Sequence, residues 1–421
     1  METTTTDVIV IGAGLAGLTA ARLVRNAGLH VVVIDGHGAG GRAATDRRSG
    51  FLFNRGPHAL YLGGPAERVL SSLGVPLPGS PPPQRVWVRD GDRVVRLPSG
   101  PWSMMTTELL GWRGKAALGR LLAGLSRCDP APLATVSFAA WMDGQGLPDD
   151  ARRVLRMLGR LATYVDAPEL VSADVVVSML QQALGPGVRY LDGGWGGIVD
   201  SLSGPLQVQA ERAEQLVADD GGVVVSTAHR RFVAGAAVVA TGTPASTARL
   251  CGRAAFDVGP PVEASCLDLG TSGPALRPIL LGLDQPLYLS DHGAVAALAP
   301  AGGSVMHVMR YLAPGEHVDH DTMSRELSEH ARCAGVEPSD IVESRRLNRM
   351  VVSTAMPTAA RGGLPGRPSA ADTGLDGAWM AGDWVGAVGH LLDASVASAE
   401  NAALAACRHV SRRAGGKLST R

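Results

Sequence analysis

The sequence predicts an α/β fold in which a domain built on a parallel sheet is interleaved with a second, α+β domain. Three observations predict it. Close to the N-terminus a β-branched run, Val8 to Ile11, leads into Gly12-Ala-Gly14-Leu-Ala16-Gly17 and then into a helix-like stretch. Close to the C-terminus, Gly382-Asp383-Trp384 leads into another helix-like stretch from Asp393 onward. The chain has 421 residues, too many for one small domain and enough for two interleaved ones.

Val8 to Ile11 is apolar on both faces, as a strand buried inside a parallel sheet must be. Gly12 allows the tight turn after it, and Gly14 lets the backbone approach a pyrophosphate with no Cβ in the way. Gly17 lets the next helix pack closely on the strand. That helix runs from Leu15 to Ala27 and stops at Gly28; its first amides and positive dipole end suit phosphate. A second buried strand, His30 to Ile34, delivers Asp35 where an acid bonds the adenosine ribose. An acid there repels a 2′-phosphate, so NADP is disfavoured and NAD or FAD is left. Strand, glycines, helix, second strand and acid follow in order, which makes this a Rossmann-type unit.

The remaining elements can be read in sequence. Phe51-Leu-Phe-Asn is a short strand ending at Gly56-Pro57. Residues 75–85 form a proline-rich connector, and Trp87 to Leu97 a hairpin around Asp90-Gly91. From Trp102 to about Leu184 the apolar spacing is helical, and those stripes read as core. Gly193-Gly-Trp-Gly-Gly197 marks a re-entry, with a helix from Ile198. Glu211 to Thr227 reads as two strands joined at Asp219-Asp-Gly-Gly222, and Arg231 to Ala240 as a third. Residues 260–350 read as sheet plus one helix, Asp321 to Cys333. The resulting division is 1–66, 191–258 and 361–421 for the nucleotide domain and 67–190 and 259–360 for the substrate domain. The only low-complexity tracts are the threonine run Thr3 to Thr6 and the proline connector.

Composition excludes several classes. Lys+Arg and Asp+Glu both number 39, so the formal net charge of zero gives no sign of a nucleic-acid partner. The 5 cysteines are scattered and never form a CxxC pair, which argues against a disulfide framework or zinc and suits a reducing cytoplasm. No run is long enough to cross a bilayer, and the N-terminus lacks the pattern of a signal peptide. Arg113 and Lys115 beside Leu118 and Leu121 leave peripheral membrane contact open, with a solvated helix face as the plainer reading. His317-Val-Asp319-His320-Asp321 has metal-ligand residue types, but it precedes a helix and Asp321 reads as its cap; no metal is expected.

Gly40-Gly41-Arg42 after the acid, together with Gly382-Asp383 near the other end, resembles the FAD-dependent superfamily of amine oxidases, phytoene desaturases and protoporphyrinogen oxidases. The resemblance implies a glutathione reductase-like FAD-binding domain. It implies that Arg42, with Gly41, reaches the pyrophosphate, although the interval from Asp35 is one residue short. Asp383 after Gly382 would bond the ribityl chain, and the amides around Leu391 and Leu392 would face the flavin ring. Gly56, Pro57 and His58 would lie near the isoalloxazine, with His58 as acid, base or flavin partner, or alternatively a structural histidine. Ala213 would sit beside the adenine, or be an ordinary strand residue. Trp384 would line the flavin cavity or merely pack.

The same resemblance points to an enzyme, an FAD-dependent oxidoreductase. The lysine that amine oxidases commonly place near the flavin is missing, because Lys115 and Lys417 are the only lysines. The aromatic of the usual flavin helix is replaced by His390-Leu391-Leu392. The stretches 280–290 and 305–311 look more like phytoene desaturase-type proteins. The leading expectation is therefore hydride transfer from an apolar, isoprenoid or polyketide, substrate to the flavin, reoxidised by oxygen, quinone or another acceptor. An amine oxidase that makes hydrogen peroxide is one alternative. A non-catalytic escort-type protein that binds lipidated chains without FAD is another, and a redox-neutral flavoprotein a further one.

Overall fold

The structure is a computed structural model describing residues 2–220 and 222–418. Its first sheet has seven strands, with Val208–Gln209, Val31–Ile34, Glu2–Ile11, Arg230–Val239, Gly222–Ser226 and Gln215–Asp219 in that spatial order. The first four are parallel neighbours, and Gly222–Ser226 and Gln215–Asp219 add antiparallel strands. Arg230–Val239 pairs Gly222–Ser226 along one half and Ala378–Met380, in parallel, along the other. The first strand begins six residues before the predicted Val8. Its threonine run is no low-complexity tract: Thr3 to Thr6 pair in register with Arg231 to Ala234, a place that β-branched threonine suits.

Both faces of this sheet are covered, as the apolar runs require. Val8 and Val10 face the helices Leu15–Asn26 and Leu391–Leu418, while Ile9 and Ile11 face Phe232, Met380 and Trp384. The C-terminal helix presents Ala399, Ala402, Ala403 and Ala406 to the sheet, small residues at helical spacing that let it lie close. The helix Pro65–Ser72 packs Ala66, Val69 and Leu70 into this same core.

The second sheet also has seven strands, in the order Ile341–Ser353, Val262–Thr271, Ser304–Leu312, Leu287–Asp291, Ile279–Gly282, Val86–Asp90 and Arg93–Arg96. One face carries the helices of residues 112–184 around Leu155, Val176 and Leu180. The other carries the helix His320–Cys333 through Met323, Leu327 and Ala331. Asp319, not Asp321, caps that helix: its Oδ1 accepts the Thr322 amide at 2.9 Å. Sequence spacing alone did not distinguish two aspartates two residues apart.

Several short elements went unread, the helix Pro65–Ser72 and the strands Val208–Gln209 and Val188–Leu191 among them. Thr45–Arg48 pairs with Phe51–Asn54 through a turn at Ser49 and Gly50, both at positive φ. Gly79–Ser80 within the proline connector and Leu60–Tyr61 both pair with Val188–Leu191. The joint between Gln215–Asp219 and Gly222–Ser226 includes Gly221, which lies outside the described residues.

Candidate functional site

One cavity of about 870 Å³ runs from the C-terminal ends of the first sheet's parallel strands to the seam with the second sheet. At its outer end lie Asp35, His37, Gly38 and Ala39. Gly14, Ala16, Gly41 and Arg42 follow, then Gly382, Asp383, Leu391 and Leu392, and at the inner end Pro57, His58, Tyr61, Tyr164 and Trp195. Gly14, Ala16, Asp35, Gly41 and Arg42 from one end of the chain and Gly382, Asp383, Leu391 and Leu392 from the other thus line a single cleft.

The three motif glycines separate into two jobs. Gly12 has φ +111°, and a Cβ there would stand 2.1 Å from the Ala240 carbonyl oxygen. A Cβ on Gly17 would stand 1.9 Å from the Gly12 oxygen. Both glycines shape the turn against protein and lie off the cavity wall. A Cβ on Gly14 would meet no atom within 4 Å, and no side chain caps the helix it opens. Its first amides are therefore free toward the cleft, the arrangement that binds phosphate. Asp35 holds its place by accepting the Ala13 amide at 2.8 Å and the His37 amide at 2.7 Å. The remaining lone pairs of the carboxylate are open to hydroxyl donors.

Arg42 and Asp383, 341 residues apart, meet directly. Arg42 Nη1 donates to Asp383 Oδ2 at 2.8 Å and to the Val352 carbonyl at 3.1 Å. The Arg42 side chain lines the cleft and is 42% exposed, whereas the Asp383 side chain is 3% exposed. Thr354 donates its amide to Asp383 Oδ2 at 3.0 Å and its hydroxyl to Oδ1. Burial alone raises the Asp383 carboxyl; the Arg42 charge and these donors overcome that and pull it down to about 2. The expectation that Arg42 simply reaches toward phosphate is thereby refined: one of its amino groups is already committed to the other predicted residue.

The loop after Asp383 is tied from beneath. Arg367 is buried and donates to the carbonyls of Asp383 at 3.1 Å and Gly389 at 2.7 Å. Leu391 then opens the C-terminal helix at φ +52°, a left-handed conformation that costs a leucine roughly 1–2 kcal/mol. Asp393 in its first turn accepts the Ala66 amide and Gln182 Nε2, both at 2.8 Å.

At the inner end His58 Nδ1 sits 2.9 Å from the Gly56 carbonyl, so it carries the proton and leaves Nε2 as an acceptor. Burial pushes His58 down to about 4 and holds it neutral. The ring of His58 meets Trp195 edge-on at 4.6 Å. Gly56, off the wall, turns at φ +85°. All 5 tyrosines of the chain gather in or behind this end, from five different places in the fold: half-buried Tyr61 and buried Tyr164 on the wall, and buried Tyr190, Tyr288 and Tyr311 behind. The aromatic surroundings that the helix segment 390–393 lacks are therefore supplied from elsewhere.

Behind His58 lies a buried polar cluster that sequence reasoning missed. His307 Nδ1 is 2.6 Å from Asp268 Oδ1, Arg345 Nε donates to Asp268 Oδ2 at 2.9 Å, and the Cys266 thiol donates to Oδ1 at 3.1 Å. Cys266, Asp268 and His307 have metal-ligand atoms within 4.8 Å of one another. The Arg345 guanidinium already supplies the positive charge there, which argues against a metal ion. The predicted ligand types at His317, Asp319, His320 and Asp321 form no such group; His320 and Asp321 are 65% and 96% exposed. Ala213 packs on the apolar cluster around Ile9 and Ile34, away from the cavity wall, and Trp384 is 1% exposed against Phe256. For Trp384 the packing alternative holds. Among the described residues no helix is long and apolar enough to cross a membrane.

Known proteins resemble the chain in part of its sequence and in its fold. A model of the NAD(P)-binding Rossmann-like domain matches residues 10–73. A phytoene desaturase of Cercospora nicotianae is 37% identical over 123 residues, covering 27% of this chain and 19% of the relative. A coproporphyrinogen III oxidase of Propionibacterium freudenreichii is 31% identical over 155 residues, covering 33% of this chain and 29% of the relative. These matches span less than a third of the relatives' own lengths. The solved structure of a putrescine oxidase bound to putrescine superposes with a TM-score of 0.72 at 16% identity, covering 96% of this chain and 99% of that one. The chain thus carries an NAD(P)-binding Rossmann-like domain within the fold of the FAD-dependent amine oxidases, and its resemblance is to the superfamily of amine oxidases, phytoene desaturases and protoporphyrinogen oxidases.

Proposed function

We propose that the chain is an FAD-dependent oxidoreductase that removes a hydride from an apolar substrate, isoprenoid or polyketide in type. The observation that carries the reading is the continuity of the cleft. It joins a phosphate-ready helix end and a ribose-ready acid to a second helix end, and finishes in an apolar and aromatic chamber.

The residues fit FAD. Asp35 would accept hydrogen bonds from the adenosine ribose hydroxyls, the open face of Gly14 and the free amides after it would take the pyrophosphate, and the uncommitted nitrogens of Arg42 would add charge. Asp383 and the first amides of the C-terminal helix would hold the far end. FAD, when bound, supplies the hydride acceptor. The chain itself supplies position and dryness: Tyr61, Tyr164, Trp195, Leu347, Met350 and Leu391 wall the chamber and exclude water. His58 offers a neutral Nε2 that can accept a hydrogen bond or a proton from substrate. With a single dinucleotide fingerprint, electrons leave through oxygen, a quinone or another acceptor.

A second reading, an amine oxidase, is favoured by the aromatic wall, since ring faces can frame an amine. Substrate classes separate the two. Under anaerobic conditions an isoprenoid or polyketide hydrocarbon should bleach the flavin, and simple mono- and diamines should leave it oxidised. Bleaching by amines, with hydrogen peroxide formed in air, would replace the first reading by the second. A chain that binds prenylated peptide and no FAD would replace both with the escort-type reading.

A further inference from the structure

Arg367 is a buried cation without an ion pair among the described residues. It is 9% exposed, and its two terminal nitrogens are spent on main-chain carbonyls, Asp383 O and Gly389 O. Its Nε is buried with no partner among the described residues. The carboxylates in electrostatic reach are engaged elsewhere. Asp383 is held by Arg42 and Thr354, and Asp174 accepts the amides of Val175 at 2.7 Å and Leu364 at 2.9 Å. Burial lowers the Arg367 guanidinium to about 10, which still leaves it charged at neutral pH. A buried, unpaired charge is costly and is seldom kept without a use.

Its position suggests the use. The two carbonyls it grips are the two ends of the loop from Asp383 to Gly389. That loop runs into His390 and the left-handed Leu391, which opens the C-terminal helix on the cavity wall. The helix N-terminus brings about half a positive charge to that wall. Arg367 adds a full one directly behind it. His390, between them, contributes none, because burial and the Arg367 charge push it down to about 4.

We propose that Arg367 is the standing positive charge that, together with this helix end, stabilises the negative charge a bound flavin acquires on its pyrimidine side when reduced, and so sets its reduction potential. The inference rests on the FAD reading above. A loop clamp alone is the competing account: it explains the two carbonyl bonds but not the retention of a full charge with an unsatisfied nitrogen.

The test uses the FAD-loaded chain, Arg367→Gln, which keeps donors without charge, and Arg367→Lys, which keeps charge without the fork. The readouts are the flavin midpoint potential and the dissociation constant for sulfite. Sulfite adds its sulfur lone pair to the flavin and leaves the matching negative charge on the pyrimidine side. In Arg367→Gln the reduced flavin should lose at least tenfold in relative stability, a fall of about 30 mV for a two-electron couple. Sulfite should bind at least tenfold more weakly, and Arg367→Lys should stay within threefold of wild type in both. Equal potentials and equal sulfite affinities in wild type and Arg367→Gln would overturn the inference and leave the FAD reading standing. Should Arg367→Gln not fold, wild type alone decides: it must take up sulfite and hold its flavin at a potential above that of free FAD, and failure of either overturns the inference. A wild-type chain that takes up no FAD overturns the functional reading and this inference with it.

Discussion

Replacing Asp383 with asparagine removes one charge from the contact that joins the two ends of the chain, with little change in shape. Asp383 is buried and accepts Arg42 Nη1 at 2.8 Å, the Thr354 amide at 3.0 Å and the Thr354 hydroxyl. Burial acts to raise its carboxyl, yet Arg42 and Thr354 bring it from an ordinary 3.8 down to about 2. A folded-state value below the unfolded one means the stabilisation is complete above about pH 4 and drains away as pH falls toward 2. At pH 7 it amounts to about 2 kcal/mol. Urea unfolding of the flavin-free chain should therefore show Asp383→Asn less stable by about 2 kcal/mol at pH 7, with the gap closing as pH falls toward 2. In a double-mutant cycle with Arg42→Met the two changes should couple by about 1 kcal/mol or more. Equal midpoints at pH 7 with additive effects would refute the reasoning. An alanine replacement at Asp383 carries the same stability loss, so its effect on FAD retention is read cleanly only beside this cycle.

Gly14→Ala should leave stability within about 0.5 kcal/mol while weakening FAD binding at least tenfold, because its Cβ points into open cleft. Gly17→Ala should instead destabilise the chain by about 1–3 kcal/mol, since its Cβ would stand 1.9 Å from the Gly12 oxygen; calorimetry and an FAD titration of both variants check the contrast. His58, His330 and His390 are each pushed by burial from 6.5 to about 4. Below the ordinary value the unfolded chain binds protons that the folded one refuses, so stability should fall from pH 6.5 toward 4, by up to about 4 kcal/mol per pH unit. Flat urea midpoints between pH 7 and 5 would count against this. Asp268→Asn takes from Arg345 the fully buried one of its two carboxylate partners, leaving only the partly exposed Asp46, and should cost about 3 kcal/mol, while zinc added to wild type should give no thermal stabilisation.

What the sequence made legible was local. Val8 to Ile11, the three glycines and Asp35 lie within one β-α-β unit, where steric demands map directly onto residue type. The C-terminal Gly382-Asp383 could be read only by resemblance, and its bond to Arg42 is invisible in a linear pattern because 341 residues separate the partners. The tyrosines arrive from five places in the fold, so no spacing announces their gathering. Asp268, His307 and Arg345 sit on three strands of one sheet, and each alone reads as an ordinary strand residue. Arg367 stands in a Gly- and Pro-rich stretch among many arginines, and only its burial sets it apart. The threonine run shows the opposite failure: a composition signal masked a strand whose register depends on its neighbour.

The central claim is that the cleft holds FAD in a redox-active state. An absorbance spectrum of the purified chain with its FAD content measures it most directly, taken as isolated, after anaerobic dithionite, and after air is admitted. The account predicts one FAD per chain, with flavin bands that are lost on reduction and regained on oxidation. A colourless protein that takes up none of the added FAD would contradict it.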